Sequence, residues 1–126
     1  MVPLNENNSH WTLSFIDPVL HTILYYDPMH SNGGEVMDSI LDFIEKEHEF
    51  SKTQFDRSIW KLEAQYNTPR QNDSNSCGIL TIQNALCIGL GREFDFGMES
   101  VSEIRKKIKV LLTLESLTDP YVYDVN

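Results

Sequence analysis

The chain has 126 residues, 40% of them apolar, with five tyrosines, six phenylalanines and two tryptophans, so composition supports the core of one domain or of part of one. No run of about 18 apolar residues occurs, which excludes a membrane-spanning helix. The net charge of −9, with no basic cluster beyond Arg105, Lys106 and Lys107, argues against binding a nucleic-acid backbone, which needs a positive footprint.

Residues 1–9 (MVPLNENNS) read as a loop or the tail of an interrupted strand. His10 to Ile16 alternates, with Trp11, Leu13 and Phe15 on one side, which is a strand pattern. Asp17 and Pro18 signal a turn, and His21 to Tyr26, rich in β-branched and aromatic residues, forms a second strand. Pro28 stops it, and His30 to Gly34 is loop. From Glu35 the period changes. Val36, Ile40, Phe43, Ile44 and His48 fall at helical spacing, so 35–49 is an amphipathic helix. Residues 60–66 (WKLEAQY) alternate again as a third strand, with Trp60, Leu62, Ala64 and Tyr66 on one face. After a polar loop over 67–76, Cys77 to Ile88 carries Leu80, Ala85, Leu86 and Ile88 with few charges and reads as a buried helix ending near Gly89 and Gly91. Ser100 and Glu103 have capping-box spacing ahead of a further amphipathic helix with Ile104, Ile108, Leu111 and Leu112. Residues 115–126 read as a loose tail. The order ββαβαα is that of an α+β domain.

The opening residues lack the basic start and apolar stretch of a signal peptide, so an intracellular, reducing setting is expected, in nucleus or cytoplasm. Two cysteines ten apart are then no disulfide framework, and no CxxC or paired Cys/His spacing suggests zinc. No metal and no cofactor is expected. Cys87, inside an apolar helix, reads as core. Cys77 stands elsewhere: six polar residues lead into it (QNDSNS, 71–76), Gly78 follows, and it opens a helix whose unsatisfied N–H groups and macrodipole favour an anion. A nucleophile needs a base. His21 and His30 lack a convincing partner, and His48 reads as a packing residue. If the Asp17–Leu20 turn pairs Ile16 with His21, paired positions sum to 37 and His10 stands opposite Asp27, with Cβ atoms ~5 Å apart. His10, Asp27 and Cys77 then outline a triad of base, orienting acid and nucleophile, against the plainer alternative of a surface ion pair and a buried thiol.

His10-Trp11, Asp27 seventeen residues after the histidine, and Gln71 six before Cys77-Gly78 together resemble the Ulp/SENP family, cysteine proteases that process SUMO, NEDD8 and related ubiquitin-like proteins. Val2 to Asn5 looks like that family's strand ahead of His-Trp. The resemblance covers residues 2–114 and implies a papain-like fold, a small central sheet with flanking helices. It departs at Ser76, where the family usually carries Asp; the nearest acid here is Asp73. The family's catalytic domain also begins well upstream of His-Trp, whereas Met1 lies nine residues before His10. The expectation is therefore that residues 1–126 are the C-terminal part of such a domain. An upstream segment or second chain would complete it, and alone it would cleave weakly and self-associate.

The resemblance also implies roles. His10 is the base and Asp27 its orienting acid. Gln71 joins the Cys77 backbone N–H as oxyanion donor, and Trp11 is one wall of a tunnel for a Gly-Gly tail. For Trp11 plain core packing stands beside that role, and Asn72 to Asn75 shape the loop. The implied partner is a ubiquitin-like protein of the SUMO or NEDD8 class and its conjugates, cleaved in deconjugation or precursor processing, with no nucleic acid and no membrane. The second expectation is a non-catalytic ubiquitin-like-binding module derived from a truncated protease.

Overall fold

Three strands follow one another in antiparallel order: β1 (Val2–Glu6), β2 (His10–Asp17) and β3 (Thr22–Tyr26). The chain then crosses over through α1 (Gly34–Phe50) and returns as β4 (Lys61–Gln65), parallel to β3, completing a four-stranded sheet in the order β1-β2-β3-β4. Two further helices, α2 (Cys77–Leu90) and α3 (Val101–Thr113), complete the α+β fold, with short 3₁₀ turns at Arg57–Ile59 and Met98–Ser100. This computed structural model describes residues 1–114, so the tail read at 115–126 lies outside the described residues. Among the described residues no helix is long and apolar enough to cross a membrane.

Strand alternation divides the sheet between its helices. Ile23 and Tyr25 point to α1 and bury against Met37 and Leu41. Leu13 and Trp11 lie on the opposite face, where Trp11 meets the first turn of α2. One side-chain bond fastens that layer: the Thr81 hydroxyl of α2 donates to the Trp11 carbonyl at 3.0 Å.

Four details differ from the sequence reading. Residues 2–6 are a full strand, because Asn7 and Asn8 both take left-handed backbone (φ 51° and 55°) and close a tight turn in which the Ser9 N–H donates to the Glu6 carbonyl. Asparagine is among the residues that tolerate this conformation best. The β2–β3 register sums to 39, not 37: Asp17 pairs with Thr22, and His21 (φ 50°) belongs to the loop. The cause is the Asp17 carboxylate, which accepts the N–H groups of Val19 and Leu20, both at 2.9 Å, and draws the turn one residue onward. The buried stripe of α2 runs Cys77, Leu80, Thr81, Asn84 and Cys87, so Leu86 is exposed rather than core. Finally, Ser100 ends a 3₁₀ turn in right-handed helical backbone and makes no side-chain cap, so the capping box with Glu103 does not form.

Gly33, at the start of α1, has φ 58° and lies so close under the Tyr25 ring that a Cβ there would overlap it. Gly33→Ala should therefore cost more than the ~1–2 kcal/mol of left-handed backbone alone, since the ring must move too. Urea denaturation reads the loss; an unchanged midpoint would show that the ring and α1 adjust freely.

Candidate active site

Four expected site residues come from four places in the chain, at one end of the sheet. His10 is the first residue of β2, Asp27 follows β3, Gln71 lies in the loop after β4, and Cys77 opens α2. His10 Nε2 lies 2.6 Å from Asp27 Oδ1. The contact is diagonal rather than directly cross-strand, as the 39-sum register requires. A shift of two residues keeps every side chain on its face, so the pair still meets.

Asp27 is only 2% exposed. Burial works to raise its carboxyl, but Ser31, the Met29 N–H and His10 outweigh that and hold it below the usual carboxylate range. The Met29 N–H donates to Oδ1 at 2.7 Å and the Ser31 N–H to Oδ2 at 3.1 Å. A charged acceptor opposite Nε2 places the ring proton there, which leaves Nδ1 as the basic nitrogen.

The loop before Cys77 is organised by Asp73. Its carboxylate accepts the N–H of Asn75 at 3.2 Å, the N–H of Ser76 at 3.0 Å and the Ser76 hydroxyl. The Ser76 hydroxyl is the main reason that the Asp73 carboxyl is held below the usual range, with the Asn75 and Ser76 N–H groups adding to it. The acid that stands three residues early therefore reaches Ser76 through space. The Asp73 carbonyl also accepts from Gln71 Nε2 at 2.7 Å. An amide nitrogen carries two N–H donors, and this bond holds Gln71 by one of them. The Gln71 backbone N–H donates to the Pro28 carbonyl at 2.7 Å, tying this loop to the residue after Asp27.

Trp11 is 41% exposed and its indole Cδ1 lies 3.4 Å from where a Gly78 Cβ would sit, so it flanks the Cys77 turn instead of filling core. Cys77 is a free, buried thiol, without a hydrogen bond among the described residues. Cys87 is also free and buried; burial pushes its thiol up and Asp95 adds to the shift.

His30, read as lacking a partner, has one: its Nε2 lies 3.0 Å from the Thr68 carbonyl, a second tie between the two loops. His21 stands edge-on to Trp60, and His48 Nδ1 lies 2.7 Å from Thr53 Oγ1. The donors on Asp27, Met29 N–H and Ser31, were missed in the sequence. Their only signal was turn chemistry after a strand that ends in Asp27-Pro28. Among the described residues no group of three or more His, Cys, Asp and Glu converges as a metal site.

Residues 1–118 match the model of the Ulp1 protease family, C-terminal catalytic domain. Ubiquitin-like-specific protease 1 of Saccharomyces cerevisiae is 31% identical over 117 residues, 91% of this chain and 18% of that protein. Sentrin-specific protease 5 of Mus musculus is 24% identical over 100 residues, 79% of this chain and 13% of that protein. The catalytic domain of the Chaetomium thermophilum Ulp1-like SUMO protease superposes with a TM-score of 0.75 at 28% identity, covering 87% of this chain and 43% of that one. The C-terminal Ulp1 protease domain in complex with Smt3, the yeast orthologue of SUMO, gives 0.69 at 28% identity, covering 87% and 49%. The chain thus spans less than a fifth of these curated relatives and about half of these solved domains.

Cys77 lies at a helix N-terminus beside a solvent-reaching indole, while Cys87 lies in the α2–sheet layer with its thiol pushed up. Alkylation near neutral pH should therefore modify Cys77 first. Peptide mapping by mass spectrometry checks the order, and faster modification of Cys87 in the folded protein would contradict it.

Proposed function

The chain belongs to the Ulp1 protease family, and from that premise we propose that it is a cysteine-type peptidase and isopeptidase acting after the C-terminal Gly-Gly of a ubiquitin-like protein, of the SUMO or NEDD8 class. The observation that carries the reading is the 2.6 Å contact of His10 with a buried, ionised Asp27, at the sheet end where Cys77 opens α2.

In this mechanism His10 Nδ1 takes the Cys77 proton, and the thiolate attacks the carbonyl carbon of the terminal glycine. Asp27 holds the ring by Nε2 and stabilises the imidazolium. The oxyanion accepts the Cys77 N–H and an N–H of the Gln71 amide. A donor of this kind is commonly worth ~10²–10³ in rate. Collapse breaks the C–N bond, and the leaving lysine or peptide nitrogen takes the proton from Nδ1. Water then attacks the thioester, giving its proton to Nδ1. The glycine carboxylate leaves, and the proton returns to Cys77.

Trp11, lying over the Cys77–Gly78 turn, forms one wall for the tail. Glycines pass a narrow slot because they carry no side chains. Sentrin and SUMO proteases among the relatives favour a SUMO-class partner, and a free nucleophilic thiol suits a reducing, intracellular setting. Trp11 is 41% exposed, which leaves its indole free to meet a bound tail.

Hydrolysis of SUMO and NEDD8 C-terminal fluorogenic substrates tests the reading. Cys77→Ala should abolish turnover. Gln71→Ala should lower kcat by ~10²–10³. Asp27→Asn, which disturbs the ring's tautomer, should lower it by up to ~10⁴ with little change in KM. Absence of turnover, together with failure of a C-terminal vinyl sulfone of either protein to label Cys77, would overturn the assignment.

A further inference from the structure

The residue at the start of α2 is a serine that does not cap it. Ser76 is the N-cap (φ −97°, ψ −3°), and a serine there ordinarily turns its oxygen onto an N–H of the first helical turn. Here it makes no such bond. The buried Ser76 hydroxyl donates instead to the carboxylate of Asp73, a surface residue. The Ser76 N–H donates to the same carboxylate at 3.0 Å and the Asn75 N–H at 3.2 Å. One exposed acid thus holds both the side chain and the backbone of the residue before Cys77.

The other side of Ser76 is fixed by the helix. Its carbonyl accepts the Leu80 N–H at 3.0 Å, which lays the Ser76–Cys77 peptide along the helix axis. In a trans peptide the C=O and N–H point opposite ways, so the Cys77 N–H faces out of the helix start. Holding Ser76 therefore holds the heading of that N–H. Asp73 reaches the second donor as well, since its own carbonyl accepts from Gln71 Nε2 at 2.7 Å. Closing the turn needs only the carboxylate bonds; the carbonyl contact sets the Gln71 amide by the same residue.

The geometry points to Asp73 as a positioning residue for the oxyanion site: its carboxylate and its carbonyl set the Cys77 N–H and the Gln71 amide relative to each other, and draw the Ser76 hydroxyl off the helix start. Acids at positions 73 and 76 then exclude one another, because the two carboxylates would stand at hydrogen-bond distance as like charges. The kinetic part of this inference rests on the peptidase reading; the spectroscopic part does not.

The test compares Asp73→Ala, Asp73→Asn, Ser76→Asp and the double variant Asp73→Asn/Ser76→Asp, each checked for folding by circular dichroism. Three signals are read: kcat and KM on the C-terminal substrate, the rate of Cys77 alkylation by iodoacetamide, and the Gln71 side-chain amide resonance in ¹⁵N-labelled protein. Iodoacetamide loses iodide to the sulfur and forms no oxyanion, so it reports the thiol without its donors. Asp73→Ala should lower kcat roughly 10- to 100-fold at unchanged KM and unchanged alkylation, and should move the Gln71 resonance. Asp73→Asn keeps an acceptor oxygen for the two N–H groups and should retain most of kcat. Ser76→Asp alone sets two carboxylates together and should lose activity; the double variant, with one acid again, should recover it. Equal losses of kcat and alkylation in Asp73→Ala overturn the inference, because Asp73 would then only hold the loop that carries the sulfur. So does an unchanged kcat in Asp73→Ala, an Asp73→Asn protein as poor as Asp73→Ala, or a double variant no better than Ser76→Asp. If Asp73→Ala does not fold, the Asp73→Asn and Ser76→Asp arms decide. If the wild type shows no turnover at all, the peptidase reading fails and the Gln71 resonance alone decides the role of Asp73: one that stays in place in Asp73→Ala overturns it.

Discussion

A carboxylate removed from water must be met by donors or it unfolds what buries it, and Asp27 is the point at which this chain satisfies that demand. Leaving such a charge unpaired would cost several kcal/mol. The donors it recruits are the His10 ring, the Met29 N–H and Ser31. Together they fix the start of β2, the end of β3 and the whole turn that leads to α1. The same turn then serves as an anchor for the loop before Cys77, through the Pro28 carbonyl and the His30 ring. One buried charge thus holds the His10 ring directly and the loop before Cys77 at one remove.

The loop before Cys77 meets the same physical need with a different layout. Ser76 is buried and stands where an acid is usual in the family, yet its hydroxyl and N–H both reach a carboxylate, that of Asp73. Because the Asp73 carbonyl simultaneously holds Gln71, the carboxylate, the glutamine and the helix start form one unit. The departure in sequence therefore leaves a closed loop, built from short-range bonds that cost little chain entropy to form.

Much of this was legible in the residues, for reasons that differ from one element to the next. The His10–Asp27 contact followed from strand parity, which survives a two-residue error in register. The register itself did not follow, because it is set by the Asp17 carboxylate reaching two N–H groups in the turn. From the residues alone β1 was left as loop or strand tail, because its pairing depends on two asparagines taking left-handed backbone; the family likeness had already pointed to a strand at Val2 to Asn5. The face of α2 was misassigned because hydrophobicity is a poor guide where Thr81 and Asn84 are buried and Leu86 is not. The support around Asp27 was illegible for a further reason: it depends on where hydroxyls and N–H groups converge in space, and such convergence has no period.

His10 and Trp11 are neighbours in the chain but serve opposite faces of the sheet. The histidine turns toward Glu6, Tyr25 and Asp27, the tryptophan toward Gly78. His10 and Cys77 are therefore placed around the end of a strand rather than within a single layer. Strand ends open at far lower free energy than sheet centres. On warming, the first residues of β2 can fray while Ile23, Tyr25, Met37 and Leu41 remain packed. In this architecture the His10–Asp27 contact is lost by local melting, while the core still has its shape.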